Sequence, residues 1–266
     1  MDIASSSGRT LCIDRRFNGP VASGNGGYAA GLAAQLLAGG ERGAEATLRA
    51  AIPLDQTLRV QETGNGIDVL TDDASNRILV MSLKPVVLEL PIVKSPGLEA
   101  ASVAAQTFRS ADDHVLPTCF VCGPLRAEGD GLRIFPDWTK DPAGVDNPNP
   151  FRIVTAPWRP TPDLADRNGR IAPEFLWAAL DCPGAFAIEK EPILLGRISV
   201  RVLDRPQVNE ALVVVAWANG SDRRKHFAGS ALFTADGRMV AFSEQTWIQI
   251  DAHAHLKPGP AGEHQN

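Results

Sequence analysis

The sequence predicts an α+β protein made of two similar halves, each a helix followed by a meander of antiparallel strands. Three observations carry this. Residues 26–38 (GGYAAGLAAQLLA) and 172–186 (APEFLWAALDCPGAF) read as helices with apolar faces. Each is followed by four runs rich in residues that favour strands. Between successive runs stand turn signals, Gly64-Asn65-Gly66 in the first half and Asp236-Gly237 in the second, and Asn-Gly readily takes positive φ. One helix wrapped by an antiparallel sheet is a recognised α+β arrangement, and its repetition points to a doubled unit.

Taken in order, the first helix opens after a flexible turn, 23–27, in which Ser23 or Asn25 can cap it, and Gly39-Gly40 stops it. Strands are predicted at 46–53, 58–63, 67–71 and 78–83. A connecting stretch follows, 84–117, with a helix at 98–108. Residues 137–150, rich in Pro, Asp and Asn, read as a surface loop. In the second helix Pro173 suits the first turn, and Pro183-Gly184 is expected to end or bend it. Phe175, Leu176, Ala179 and Leu180 form its apolar stripe. The closing strands are 194–203, 212–219, 226–234 and 239–250, and a polar tail starts after 252. The expected organisation is thus a unit at 1–90, a linker at 91–116, a second unit at 117–251 and a flexible tail at 252–266.

Composition narrows the function. The chain has 266 residues, 44% hydrophobic and 21% charged, and 26 basic against 31 acidic residues leave a net charge of −5. Without a basic block, nonspecific nucleic-acid binding is not expected. The longest apolar run, 211–218, falls far short of the ~20 residues that span a membrane. The polar N-terminus lacks the apolar core of a secretory signal, and four cysteines make no disulfide framework, so a soluble cytoplasmic protein is expected.

Two motifs bring a family into view. Cys119-Phe120-Val121-Cys122-Gly123-Pro124, followed by Gly131-Leu132-Arg133-Ile134, is similar to the opening of many single-hotdog thioesterase-like proteins. Residues 227–233, then Asp236-Gly237-Arg238-Met239-Val240-Ala241 and Gln245, resemble the closing hairpin of type-II acyl-CoA thioesterases. The whole order resembles a double hotdog, two central helices wrapped by a continuous curved sheet. The resemblance implies hydrolysis of an acyl-CoA thioester by a held water, no cofactor, and a homo-oligomer. A non-catalytic protein that binds an acyl or CoA ligand is the alternative.

Several residues are candidates for that chemistry. Asp181 lies late in an apolar helix, where a carboxylate is costly unless paired or facing a cavity. The resemblance implies an acid there that orients the attacking water. Glu174, seven residues earlier, shares nearly the same helical face, although a first-turn carboxylate is also favoured by the helix dipole. Gln245 matches the family's water-binding amide, and on a strand it faces opposite to Glu244. Asn219 stands where the family carries Thr or Ser, a departure, and 219–222 also reads as a simple turn. Asn25, Gly26 and Gly27 open the first helix, whose leading amides suit a thioester oxygen. Asn25 replaces the His that many hotdog proteins place there, which disfavours dehydratase chemistry. Arg223, Arg224 and Lys225 offer charge for the phosphates of CoA, or simply form a solvated turn. Cys119 and Cys122 lack a second ligand pair at standard spacing, so no metal is expected, and His114 or Cys182 would join them only through folding.

Overall fold

The computed structural model describes residues 9–139, 149, 151–190 and 192–251. The strands of the first half are β1 (Thr10–Cys12), β2 (Ala44–Leu48), β3 (Thr57–Thr63), β4 (Gly66–Thr71) and β5 (Leu79–Pro85). Those that follow are β6 (Asp137–Trp138), β7 (Val154–Trp158), β8 (Ile193–Val202), β9 (Leu212–Asp222), β10 (Lys225–Thr234) and β11 (Met239–Gln249). The helices are α1 (Gly26–Ala34), α2 (Leu98–Ala105) and α3 (Pro173–Ile188).

All strands join one 11-stranded sheet in the order β1-β3-β4-β5-β2-β8-β11-β10-β9-β7-β6. Leaving aside β6, an edge strand that only the second half has, β1-β3-β4-β5-β2 and β7-β9-β10-β11-β8 read inward are the same arrangement, so the predicted doubling holds for five strands of each half. The halves meet where β2 pairs antiparallel with β8, Ala44 opposite Val200 and Thr47 opposite Arg197. Helices α1 and α3 pack together on one face of the sheet, and the main core lies between them and the inward side chains of both halves. Leu176, Ala179 and Leu180 are fully buried in it, and Phe175 nearly so.

Local differences from expectation have physical causes. Helix α1 ends at Ala34, not 38, because the Leu36 and Leu37 amides bond three residues back, which tightens and closes the last turn. Helix α3 runs through Pro183 to Ile188 and ends where Glu189 turns left-handed, φ 54°. In the first hairpin Thr63 pairs with Gly66, so the loop is Gly64-Asn65. None of Gly64, Asn65 and Gly66 has a positive φ. Gly66 is required for space, since a Cβ there would sit 1.9 Å from the Leu83 carbonyl oxygen. In the last hairpin Gly237 does turn left-handed, φ 87°. Strands β1 and β7, which lead into the helices, are too short to show a pattern.

Two further placements bear on the site. Residues expected to open the second unit instead pack against the first: Phe120 N–H bonds to Asn18 O at 2.8 Å, and the Arg126 guanidinium reaches the Arg16 carbonyl at 2.7 Å. The connecting stretch, with α2, covers the outer face of the second half, where Leu88, Val93 and Ala101 bury Val213, Val215 and Phe242. Most of 137–150 and the tail after 252 lie outside the described residues. Among the described residues, no helix is long and apolar enough to cross a membrane.

Candidate active site

The site forms where the start of α1 meets the middle of α3. Helix α1 carries glycine at the crossing, and a Cβ on Gly27 would lie 2.6 Å from the Asp181 Cβ and 2.7 Å from the Trp177 carbonyl oxygen. The bare backbone thus lets the two helices touch. The Gly27 amide then donates to Asp181 Oδ2 at 2.8 Å. Asn25 caps the helix, its Oδ1 accepting from Tyr28 N–H at 2.9 Å, while its Nδ2 points toward Cys182 Sγ at 3.9 Å.

Asp181 is 2% exposed, and its Oδ1 has no hydrogen-bond partner. Burial pushes its pKa up to about 7; the Gly27 N–H and the Asn25 amide pull the other way, and the Cys119 sulfur adds to the rise. The carboxylate lines a cavity of about 100 Å³ with Asn25, Gly26, His114, Cys119, Cys122, Cys182 and Trp247. Apolar side chains, among them Phe186 and Leu195, complete the wall. A larger groove of about 520 Å³, lined by Leu48, Ile52, Ile248 and Ile250, adjoins it and shares Pro20, Gly26, Leu116, Leu194 and Leu195.

His114 enters this cavity from the connecting stretch. Its Nδ1 accepts the Leu116 N–H at 2.9 Å, so the neutral ring carries its proton on Nε2. That Nε2 is buried and unpartnered. Burial depresses the imidazole pKa, as does Arg109, against the pull of the Cys119 sulfur. Neither helix start encodes a histidine, yet the fold delivers one to the mouth of α1. No local pattern marks it, because the contact spans the whole linker.

The other expected residues divide sharply. Gln245 faces inward, 3% exposed, whereas Glu244 is exposed. Its amide is fully engaged: Nε2 donates to Leu180 O and to Ser243 Oγ at 2.9 Å, and Oε1 accepts from Trp247 Nε1 at 2.7 Å. It braces α3 and Trp247, and it is not among the residues lining the cavity. Asn219 is corrected outright. It is exposed and sits in a β-bulge, skipped in the register between Ala218 and Gly220, so it cannot join Asp181. Strand β9 also continues past it to Asp222, so 219–222 is no turn.

Glu174 is two turns from Asp181 and accepts from Gln35 Nε2 at 2.9 Å, away from the cavity. Burial raises its pKa, and that hydrogen bond opposes the rise. Gly27 is an expected oxyanion donor, but its amide is taken by Asp181. Gly26, whose N–H has no carbonyl a turn behind it in the helix, lines the cavity instead. Arg223, Arg224 and Lys225 lie at the exposed β9–β10 turn, and Arg224 donates twice to the Gln249 carbonyl, at 3.0 and 2.8 Å.

The cysteine expectation also changes. Cys119, Cys122 and Cys182 are all buried, and their sulfurs lie within 4.8 Å of one another. The Cys119 and Cys182 sulfurs are 3.7 Å apart, and the neighbouring thiols and backbone amides hold the Cys119 pKa well below the usual thiol range. The CxxC therefore does gain a third thiol, supplied by the helix residue next to Asp181.

No protein-family model matches the sequence, and no curated protein is significantly similar to it. Solved structures do match. A candidate thioesterase from Novosphingobium aromaticivorans aligns over 91% of this chain and 95% of its own, with a TM-score of 0.57 at 13% identity. The tesB protein of Mycobacterium avium subs paratuberculosis aligns over 91% and 92%, with a TM-score of 0.55 at 13% identity. A candidate thioesterase II from Thermobifida fusca aligns over 90% and 92%, with a TM-score of 0.52 at 15% identity. The fold is a double hotdog. At such identities the likeness carries the double-hotdog architecture alone, and the chemistry rests on the residues of the cavity.

Proposed function

We propose that this double-hotdog protein hydrolyses an acyl thioester, with the carboxylate of Asp181 activating the attacking water. One observation carries the reading. Asp181 is held by one oxygen on the α1 amide, while its other oxygen is unpartnered and the carboxylate lines a largely apolar cavity. A carboxylate so fixed can take a proton from a water as that water attacks a carbonyl carbon. The Gly26 N–H and the His114 Nε2–H are the donors for the oxygen that gains charge, and both residues line the cavity beside Asp181. The acyl group fills the apolar cavity, and the thiol arm leaves along the adjoining groove. CoA is the carrier we favour. Lys225 pairs in register with Ile248, and Ile248 lines the groove, so the basic turn stands at its rim for the nucleotide phosphates.

A second reading has its own support. Asn219 is outside the site and the Gln245 amide is spent on structure, so the trio expected to hold the water is reduced to Asp181. That favours a protein that binds an acyl or CoA ligand without cleaving it. Release of free thiol from a panel of short, long and aryl acyl-CoAs tests the first reading. Binding of a non-hydrolysable thioether analogue without any thiol release would establish the second.

A further inference from the structure

The geometry points to a thiophilic metal site, for zinc or a like ion, made by Cys119, Cys122 and Cys182 with its fourth position open to the cavity. The inference does not rest on the hydrolase reading. Three observations support it. First, the sulfur positions suit tetrahedral coordination: Cys119 and Cys182 are 3.7 Å apart, and two ligands 2.3 Å from a tetrahedral zinc are separated by about 3.8 Å. Among the described residues no other group of His, Cys, Asp or Glu comes together in this way.

Second, the loop that carries the CxxC is shaped around the first sulfur. Gly123 N–H bonds to the Cys119 carbonyl at 2.9 Å, and a Cβ on Gly123 would lie 2.5 Å from that carbonyl oxygen. The glycine makes the turn tight, and the two sulfurs of the CxxC lie on it within 4.8 Å of each other.

Third, an unpartnered polar atom waits beside the cluster. Asp181 Oδ1 is fully buried without a hydrogen bond, in the same cavity as the three sulfurs. Three protein ligands and one open position is the pattern of a reactive metal centre, whereas structural zinc is closed by four. His114 is no ligand as the ring stands, because Nδ1 accepts from the backbone and Nε2 carries the proton. Binding releases the thiol protons to solvent and changes no oxidation state.

The test is metal binding by the full chain. Purified under reducing conditions, stripped with a chelator and titrated with Co²⁺, the protein should bind one ion per chain and develop a thiolate-to-cobalt charge-transfer band. Zn²⁺ should abolish that band stoichiometrically. Cys119→Ser, Cys122→Ser and Cys182→Ser should each weaken binding at least tenfold, and Cys12→Ser, at an exposed thiol elsewhere, should leave it unchanged. If a variant fails to fold, the unmutated protein still decides the matter through the cobalt spectrum. No charge-transfer band with three freely titratable buried thiols would overturn the site. So would a buried disulfide that forms in air while Zn²⁺ is present at saturating concentration.

Discussion

The two halves share a strand plan but not an equipment list. The ninth residue of α3 is Asp181, and the ninth and last of α1 is Ala34. The start of α1 offers a side-chain cap and glycine amides; that of α3 has no side-chain cap and begins with Pro173, which has no N–H to give. A pseudo-symmetric second site would need an acid from α1, where Ala34 stands instead, and the counterpart of Gly27 is Glu174, whose carboxylate accepts from Gln35. The place is nonetheless a cavity, lined by Ala34, Gln35, Pro173 and Trp177. Doubling thus yields a pocket at each helix crossing, and only the one at the start of α1 has a carboxylate from the facing helix bonded to a helix-start amide.

The largest effect should come from the acid that breaks the symmetry. Asp181→Asn should lower kcat by ~10²–10⁴-fold with little change in KM, because in the proposed reaction the carboxylate acts in the transition state. Glu174→Gln, on the same helix but turned to Gln35, should change kcat by less than about threefold. Thiol-release kinetics on the two variants decide it. Equal losses would mean that the helix face matters and not the cavity.

The helix crossing comes next. A Cβ on Gly31 would lie 2.6 Å from the Trp177 Cβ and 2.8 Å from the Glu174 Cα, so Gly31→Ala should cost about 1–3 kcal/mol. At roughly 2–4 °C per kcal/mol for a chain of this size, calorimetry should show a clear fall in Tm. The matching change on the other helix, Gly184→Ala, drives a methyl into Gln245 Oε1 and should displace its bond to Trp247. Trp247 fluorescence should respond to Gly184→Ala and not to Gly31→Ala.

The outer faces differ as well, and this explains what the sequence could tell. In the first half, β3 alternates Leu58 and Val60, buried, with Arg59 and Gln61, which are more open to solvent. That period of two reads directly as a half-buried strand. In the second half, residues 212–217 of β9 are buried on both faces, because the connecting stretch covers the outer one. The apolar run 211–218 is that double burial written in sequence. Val215→Ala should therefore cost about 2 kcal/mol, and Gln61→Ala less than about 0.5 kcal/mol, measured by urea denaturation.

The site was less legible than the fold for a related reason. Strand and helix patterns are local, so both central helices and eight strands could be placed within a few residues. The pairing of Gly27 with Asp181 joins residues 154 apart, and no periodicity reports it. Asp181 was visible because a lone acid in an apolar helix is costly. His114 and the third thiol were not, since their surroundings are assembled only by the fold. Asn219 misled because a one-residue bulge reverses which way a strand residue faces, and a bulge leaves little trace in sequence.

The smallest effect concerns exposed charge, again contrasted between halves. Arg238 pairs with Asp204 at 2.7 Å in the second half, and Arg9 pairs with Glu62 at 2.7 Å in the first. Glu62 is 79% exposed and Asp204 39%, so solvent screens the first-half pair more. Arg238, then the Arg205 amide, lowers the Asp204 pKa. A carboxyl whose folded pKa lies below its unfolded value stabilises the fold above the unfolded value, and that contribution is lost as pH falls through the folded one. Arg238→Ala should thus cost less than about 1 kcal/mol at pH 7 and nothing once both states are protonated. The loss should shrink in high salt, and Arg9→Ala should cost less still. Denaturation curves at pH 7 and below pH 3, with and without added salt, read each of these. An Arg238→Ala cost that persists at low pH would mean that the guanidinium acts through packing and not through charge.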